Sequence, residues 1–329
     1  MNIAVVGAGA WGTALAIHFA QDHTVTLWTR NPDDCANMAK TRENQRYLAG
    51  FVFPPKLHIA DTLAAACADA ELILIATSVS GLRPTLQALQ ALGLADKPII
   101  TACKGFEEGT GLLPHEVILD LMPEHTHYGA LSGPSFAQEL AQGLPCAVTL
   151  ASPNEAWVTD IAQTLNNHTL RLYANTDLIG AAIGGAVKNV MAIATGIADG
   201  LHYGFNARAA LMTRGLAEIN RLAIASGAQN TTLMGLAGMG DLILTCTGNL
   251  SRNRTVGLKL AEDKNLATIL AELGHVAEGV NTTKEVARLA KARGIDMPIT
   301  DIINELLAGH IKVKTVAERL MMRDPKQED

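Results

Sequence analysis

The sequence predicts an α/β chain in which a doubly wound, mostly parallel sheet precedes an all-helical second domain. Three observations predict it. The run Gly7-Ala8-Gly9-Ala10-Trp11-Gly12 follows a short apolar β-rich segment and opens a helical pattern. Short β-rich runs then alternate with helical stretches as far as Ala174. After Asn175 strand candidates become few and long helical patterns take over. Together these define a Rossmann-type domain over residues 1–176 and a helical substrate domain over 177–329. The length of 329 residues suits two cores rather than one.

The strand candidates are residues 3–6, 24–28, 72–76, 98–101, 147–150 and 170–173. Most are continuously apolar instead of alternating, as expected of strands covered by helices on both faces. In the second domain, 208–226, 251–262 and 280–293 carry helical periodicity. Asn175 or Thr176 is placed to cap its first helix, with Asp177 in the first turn where the helix dipole favours an acid.

Residues 178–198 are apolar apart from Lys188, Asn189 and Thr195 and contain Gly180 and Gly184 in a GxxxG spacing. A lysine at the centre of a spanning helix costs roughly 2.5–3.5 kcal/mol, so a buried core helix is the better reading and no membrane insertion is expected. The formal charge of -6 offers no basic surface to nucleic acid or an anionic membrane. An anionic ligand must then be held by local cations. Five scattered cysteines form no CxxC pair, so neither a disulfide framework nor a metal site is expected, and a reducing cytoplasm fits. The N-terminus runs straight into a strand without a basic leader, so no signal peptide is expected.

In the glycine run, Gly7 permits a tight turn, Gly9 lets backbone approach a pyrophosphate, and Gly12 lets helix and strand pack closely. The N-terminus of the following helix supplies N–H groups to the anion. Roughly 20 residues further on, an NAD site places an acid against the ribose 2′-hydroxyl. Here the chain reads Trp28-Thr29-Arg30, and a guanidinium suits a 2′-phosphate, so NADP is preferred to NAD, with an arginine merely solvated at a strand end as the alternative.

Lys188 shares its helical face with Ala181, Gly184, Gly185, Ala192 and Thr195. Desolvated there, it could act as a proton donor near neutral pH; equally, it could reach out to water. Ser251-Arg252-Asn253 begins a helical pattern and reads either as a phosphate pocket or as an ordinary cap. Asp241 either orients Lys188, holds a substrate hydroxyl, or closes a turn after 238–240. Lys104 follows the 98–101 strand at its carboxyl end, where open α/β sheets place ligands.

These blocks, with Cys103-Lys104-Gly105, Leu131-Ser132-Gly133-Pro134-Ser135, Val187-Lys188-Asn189-Val190, residues 235–247 and Glu278-Gly279-Val280, resemble the bacterial-type NAD(P)-dependent glycerol-3-phosphate dehydrogenases over nearly the whole chain. The resemblance implies interconversion of dihydroxyacetone phosphate and glycerol 3-phosphate, feeding glycerophospholipid synthesis. It implies Lys188 as general acid/base, with Lys104, Gly133, Ser135, Asp241, Ser251, Arg252 and Asn253 around the substrate. The matching cofactor positions are Trp11, Arg30, Lys104, Ala137, Arg252, Val276 and Glu278, beside Gly7, Gly9, Ala10 and Gly12 of the loop. Ala10 departs from the serine often found there, which puts only a side-chain contact in doubt. The residues leave open whether Lys104 or Lys188 moves the proton, and whether the chain forms a homodimer. A β-hydroxyacid dehydrogenase of the phosphogluconate type is the alternative enzyme; a non-catalytic NADP(H) sensor would need neither Lys188 nor the 251–253 pocket.

Overall fold

The computed structural model describes residues 1–273 and 277–321. Its strands are β1 (Asn2–Val6), β2 (Thr24–Trp28), β3 (Glu43–Asn44), β4 (Leu48–Val52), β5 (Leu57–Ile59), β6 (Leu72–Ile75), β7 (Ile99–Thr101), β8 (Tyr128–Ser132), β9 (Cys146–Ala151) and β10 (Leu170–Asn175). Eight form one sheet in the order β10-β9-β8-β7-β6-β1-β2-β5, and β3 with β4 makes a separate antiparallel hairpin. β1 lies between β2 and β6, parallel to both, so the chain reverses its winding direction there and leaves a crevice at the carboxyl ends of β1 and β6. The sheet is parallel from β5 to β8; β9 then runs antiparallel to β8, and β10 parallel to β9.

Alternate strand residues serve two cores, as the pleat dictates. Ile3 and Val5 face one side with Leu15, Phe19 and Ile161, while Ala4 and Val6 face the other with Leu82, Leu86 and Val117. The covering helices are α1 (Ala10–Phe19), α2 (Pro32–Thr41), α3 (Leu63–Cys67), α4 (Val79–Ala91), α5 (Pro114–Leu121), α6 (Ala137–Ala141) and α7 (Glu155–Leu165).

The helical part comprises α8 (Leu178–Gly200), α9 (Gly204–Ala225), α10 (Asn230–Leu233), α11 (Asp241–Thr247), α12 (Arg252–Ala261), α13 (Leu266–Leu273), α14 (Glu278–Arg293), α15 (Pro298–Leu307) and α16 (Val313–Met321). The apolar α8 is long enough to cross a membrane, yet it is the central post of this layer, buried from Ile183 to Ala198 against α9, α11, α12, α14 and α15. A Cβ at Gly196 or Gly257 would strike the opposing backbone, so α8 and α12 meet main chain to main chain.

Three expectations need correction. The cap of α8 is Asp177, whose Oδ1 accepts from Gly180 N at 2.8 Å and whose Oδ2 accepts from Gln229 N at 2.8 Å. Asn175 instead ends β10 and accepts from Asp177 N at 2.7 Å, folding the strand-to-helix junction into an Asx turn. Asp241 does not close a turn: a π-helical turn, Leu236–Gly240, runs directly into α11, of which Asp241 is the first residue. Finally, α9 begins at Gly204, ahead of the periodicity read from 208.

One loop crosses from sheet to helices. After β7 the chain carries Lys104 and then drops Phe106 and Leu113 into the core formed around α8. Arg83 of α4 clasps Glu107 of this strap at 2.8 and 2.9 Å, and Gly109 N donates to Glu285 of α14 at 3.0 Å.

Candidate active site

Lys188 lies midway along α8 with 7% exposure; on the same helix a Cβ at Gly184 would strike the Ala237 carbonyl, and one at Gly185 would strike Ser132 Oγ. Its ammonium donates to Oδ1 of Asp241, which is fully buried. Oδ2 of the same carboxylate accepts from Lys104 Nζ at 2.8 Å. Lys104 also donates to Gly133 O at 2.9 Å and Ser135 Oγ at 3.1 Å, while Ser135 Oγ donates to Gly133 O at 2.8 Å. Elements distant in sequence thus meet at one carboxylate, α8, α11 and the end of β7, and the turn after β8 joins them through Lys104.

The electrostatics follow from this packing. Burial strips water from Lys188 and brings its pKa down to about 8, Asp241 opposing that fall and the Lys104 charge adding to it. The cluster carries two ammonium groups against one carboxylate and so retains a positive charge suited to an anionic substrate. Lys104 spends three donors on protein acceptors, which holds its ammonium in place. Thr245, one turn along α11, donates to the Asp241 carbonyl at 2.6 Å and holds the start of that helix.

The second group of expected residues collects where α12 and α14 begin. Ser251 caps α12, its Oγ accepting from Arg254 N at 3.2 Å. Asn253 Oδ1 accepts from Gly279 N at 3.0 Å, and a Cβ on Gly279 would lie 2.9 Å from the Asn189 carbonyl, which places this pair directly beside Lys188's own helix. Arg252 is exposed at the same helix start. Glu278 reaches back to the start of α4, its Oε1 accepting from Val79 N at 3.4 Å. Burial pushes the Glu278 carboxyl above its ordinary range, against the Val79 N–H and the Arg252 charge.

The glycine loop forms a cradle at the crevice between β1 and β6. Gly7 has φ 113°, and a Cβ there would come within 2.8 Å of Ala76 backbone. A Cβ on Gly12 would collide with the Gly7 carbonyl, whereas one on Gly9 meets nothing within 4 Å. Backbone is thus packed tightly behind the loop and open before it. Trp11 is half-buried, and its Nε1 has no partner among the described residues. Ala137, at the start of α6, packs against the same core as Trp11. Arg30 is exposed just beyond the end of β2, apart from the lysine cluster. Val276 lies outside the described residues.

Sequence reading passed over Asp199, which ends the buried face of α8 by pairing with Arg254 at 2.7 Å and Arg208 at 2.7 Å. The Arg254 pair anchors α12 immediately after Arg252. Its partners are 55 and 9 residues away, and no local pattern announces them.

Family models for the N-terminus and the C-terminus of NAD-dependent glycerol-3-phosphate dehydrogenase match residues 2–158 and 177–318. The chain is 56% identical over 329 residues to glycerol-3-phosphate dehydrogenase [NAD(P)+] of Neisseria meningitidis serogroup A / serotype 4A, covering 100% of both chains. It is 54% identical to the protein of the same name from Dechloromonas aromatica, covering 100% of this chain and 99% of the relative. A crystal structure of glycerol-3-phosphate dehydrogenase from Coxiella burnetii superposes with a TM-score of 0.94 at 39% identity, covering 98% of this chain and 99% of that one. The chain belongs to the NAD-dependent glycerol-3-phosphate dehydrogenase family.

Proposed function

We propose that the chain interconverts dihydroxyacetone phosphate and sn-glycerol 3-phosphate with NAD(P)H, and that Lys188 is its general acid/base. The observation that carries this reading is the pairing of a buried Lys188 with Asp241 while Lys104 is fully committed to protein acceptors.

The cradle fits a dinucleotide: its back is closed to any side chain, its front is open, and the first-turn N–H groups of α1 face an anion without intrahelical partners. Gly7, Gly9, Ala10, Trp11, Gly12 and Arg30 would hold the cofactor, together with Lys104, Ala137, Arg252 and Glu278, and with Val276 by resemblance. Arg30 favours NADP over NAD. When bound, the reduced nicotinamide supplies the hydride taken up by the ketone carbon.

The rest is done by side chains. As ammonium, Lys188 donates a proton to the oxygen of the developing alkoxide; as free amine it removes that proton in the reverse direction. A pKa about 8 lets it do both near neutral pH. Asp241 orients Lys188 and holds Lys104, which with Gly133 and Ser135 forms the wall beside the carbonyl. The start of α12, with Ser251, Arg252 and Asn253, receives the phosphate through helix N–H groups and the guanidinium.

The division into domains at 176/177 follows the junction between β10 and α8. Placement in the cytoplasm is supported by cysteines that are all unpaired. On this reading the product feeds glycerophospholipid synthesis. The test is direct: NADPH absorbance should fall when dihydroxyacetone phosphate is added to the purified chain. Absence of consumption with both NADPH and NADH would overturn the proposal.

A further inference from the structure

The β3–β4 hairpin interrupts the alternation of strands and helices between α2 and β5, and the mechanism above makes no use of it. One side chain ties it to the glycine loop. Asn44, 4% exposed, donates from Nδ2 to the Ala8 carbonyl at 2.8 Å and to Thr13 Oγ1 at 2.7 Å. Its Oδ1 accepts from Tyr47 N at 3.2 Å, which fixes the orientation of the amide.

The Ala8 carbonyl belongs to the peptide that joins Ala8 to Gly9. In a trans peptide the C=O and N–H point in opposite directions, and there is no cis peptide among the described residues. By drawing the carbonyl towards the hairpin, Asn44 turns the Gly9 N–H away from it. Gly9 itself borders open space. The flanking groups are already engaged, Gly7 N with Trp28 O at 2.8 Å and Gly9 O with Thr13 N at 2.9 Å. Among these groups the Ala8–Gly9 plane is the one held by a side chain.

We infer that Asn44 is a positioning residue for the dinucleotide: it holds the Ala8–Gly9 peptide so that the Gly9 N–H is presented to the pyrophosphate. This rests on the dinucleotide site proposed above and adds to it a residue from beyond the glycine loop. Asn44→Asp keeps the shape but sets an oxygen against the Ala8 carbonyl, favouring the flipped peptide. Asn44→Ala removes the bond without adding charge. Thr13→Val removes only the second acceptor.

The experiment titrates NADPH fluorescence against the full chain without substrate, and measures kcat at saturating cofactor and the melting temperature alongside. Both Asn44 variants should raise the NADPH Kd about 10-fold or more, as loss of a buried donor to a loop carbonyl allows. Thr13→Val should stay within about 2-fold of the parent, and kcat should hold within about 2-fold in every variant, because the reacting groups lie elsewhere. A merely structural anchor would lower the melting temperature and leave Kd unchanged; parent-like Kd in a folded Asn44 variant overturns the inference. If Asn44→Ala does not fold, the isosteric Asn44→Asp decides alone. A parent chain that binds no NADPH sinks the dinucleotide site itself, a different result from parent binding that the variants preserve.

Discussion

Lys104 donates to Oδ2 of Asp241 at 2.8 Å, and that bond commits the carboxylate to two cations at once, since its other oxygen holds Lys188. One buried acid therefore holds two lysines, to which the proposed mechanism gives different tasks. Lys104 is held from three sides, and Lys188 keeps donor capacity for a substrate oxygen.

Replacing Lys188 removes the proton donor but none of the cradle. Lys188→Ala should lower kcat about 10²–10⁴-fold while leaving the Kd for NADPH near that of the parent. Stopped-flow turnover with a parallel binding titration checks both numbers. Near-normal turnover would take the catalytic role from Lys188.

In the proposed mechanism ketone reduction needs the Lys188 ammonium, and burial sets that group to titrate at about 8. Reduction should therefore be fastest below that pH and decline as pH rises through it. Oxidation of glycerol 3-phosphate needs the free amine and should rise over the same interval. Profiles of kcat/KM in the two directions should cross; parallel profiles would contradict the assignment.

Asp241→Asn leaves the buried Lys188 ammonium and the partly buried Lys104 ammonium without their counter-charge. Breaking a buried pair costs about 3–5 kcal/mol, and Lys188 limits that cost by shedding its proton. Because Asp241 is what opposes the fall in the Lys188 pKa, its loss must depress that pKa further. The descending limb for reduction should move to lower pH, and the melting temperature should drop. An unmoved limb would show that Asp241 does not tune the lysine.

At saturating NADPH, where its proposed cofactor contact no longer limits the rate, Arg252→Ala should act on the substrate phosphate. A charge-assisted bond contributes about 1.5–3 kcal/mol, so KM for dihydroxyacetone phosphate should rise roughly 10–100-fold. Activity on phosphate-free dihydroxyacetone, measured as kcat/KM, should not change. Equal losses on both ketones would place Arg252 outside the phosphate pocket.

Glu218 offers a prediction about stability. It is 1% exposed on α9 and accepts from Ile299 N at 2.7 Å, Thr300 N at 3.2 Å and Thr300 Oγ1 at 3.0 Å, thereby capping α15 from a different helix. Burial raises its pKa from 4.5 to about 7 despite these donors. The folded state thus binds the proton more tightly than the unfolded state. Its contribution is complete below the unfolded pKa and is lost as pH climbs through the folded one, amounting to about 3 kcal/mol between pH 4 and 8. Glu218→Gln should flatten the decline of the melting temperature over that range; an unchanged slope would refute the shift.

The sheet and its glycine loop were legible because their signals are local: apolar runs of strand length, and a glycine pattern in strand-to-helix context. β8 escaped as a strand because Tyr128-Gly129-Ala130-Leu131-Ser132 is rich in small residues, and its antiparallel pairing with β9, itself legible as 147–150, cannot be read from composition. The strand ending β10 and the cap of α8 differed by two residues, since Asn175 and Asp177 both suit either task until their bonds are seen. Around the lysines the motifs named the participants, but the pairings span 53 and 137 residues. That Asp241 shares itself between two lysines, and that Asn44 holds the Ala8 carbonyl, are products of tertiary packing alone.

The strap after β7 sends Phe106 and Leu113 out of the sheet layer into the core around α8, with Lys104 at its head. The N-terminal half is consequently not an interchangeable part. Cut away, it would present two large apolar side chains to water and lose the scaffold that steadies its lysine, so a chimera that swaps either half must carry matching residues on both sides of the strap. The lysine–Asp241 cluster and the core around α8 therefore depend on the same strap.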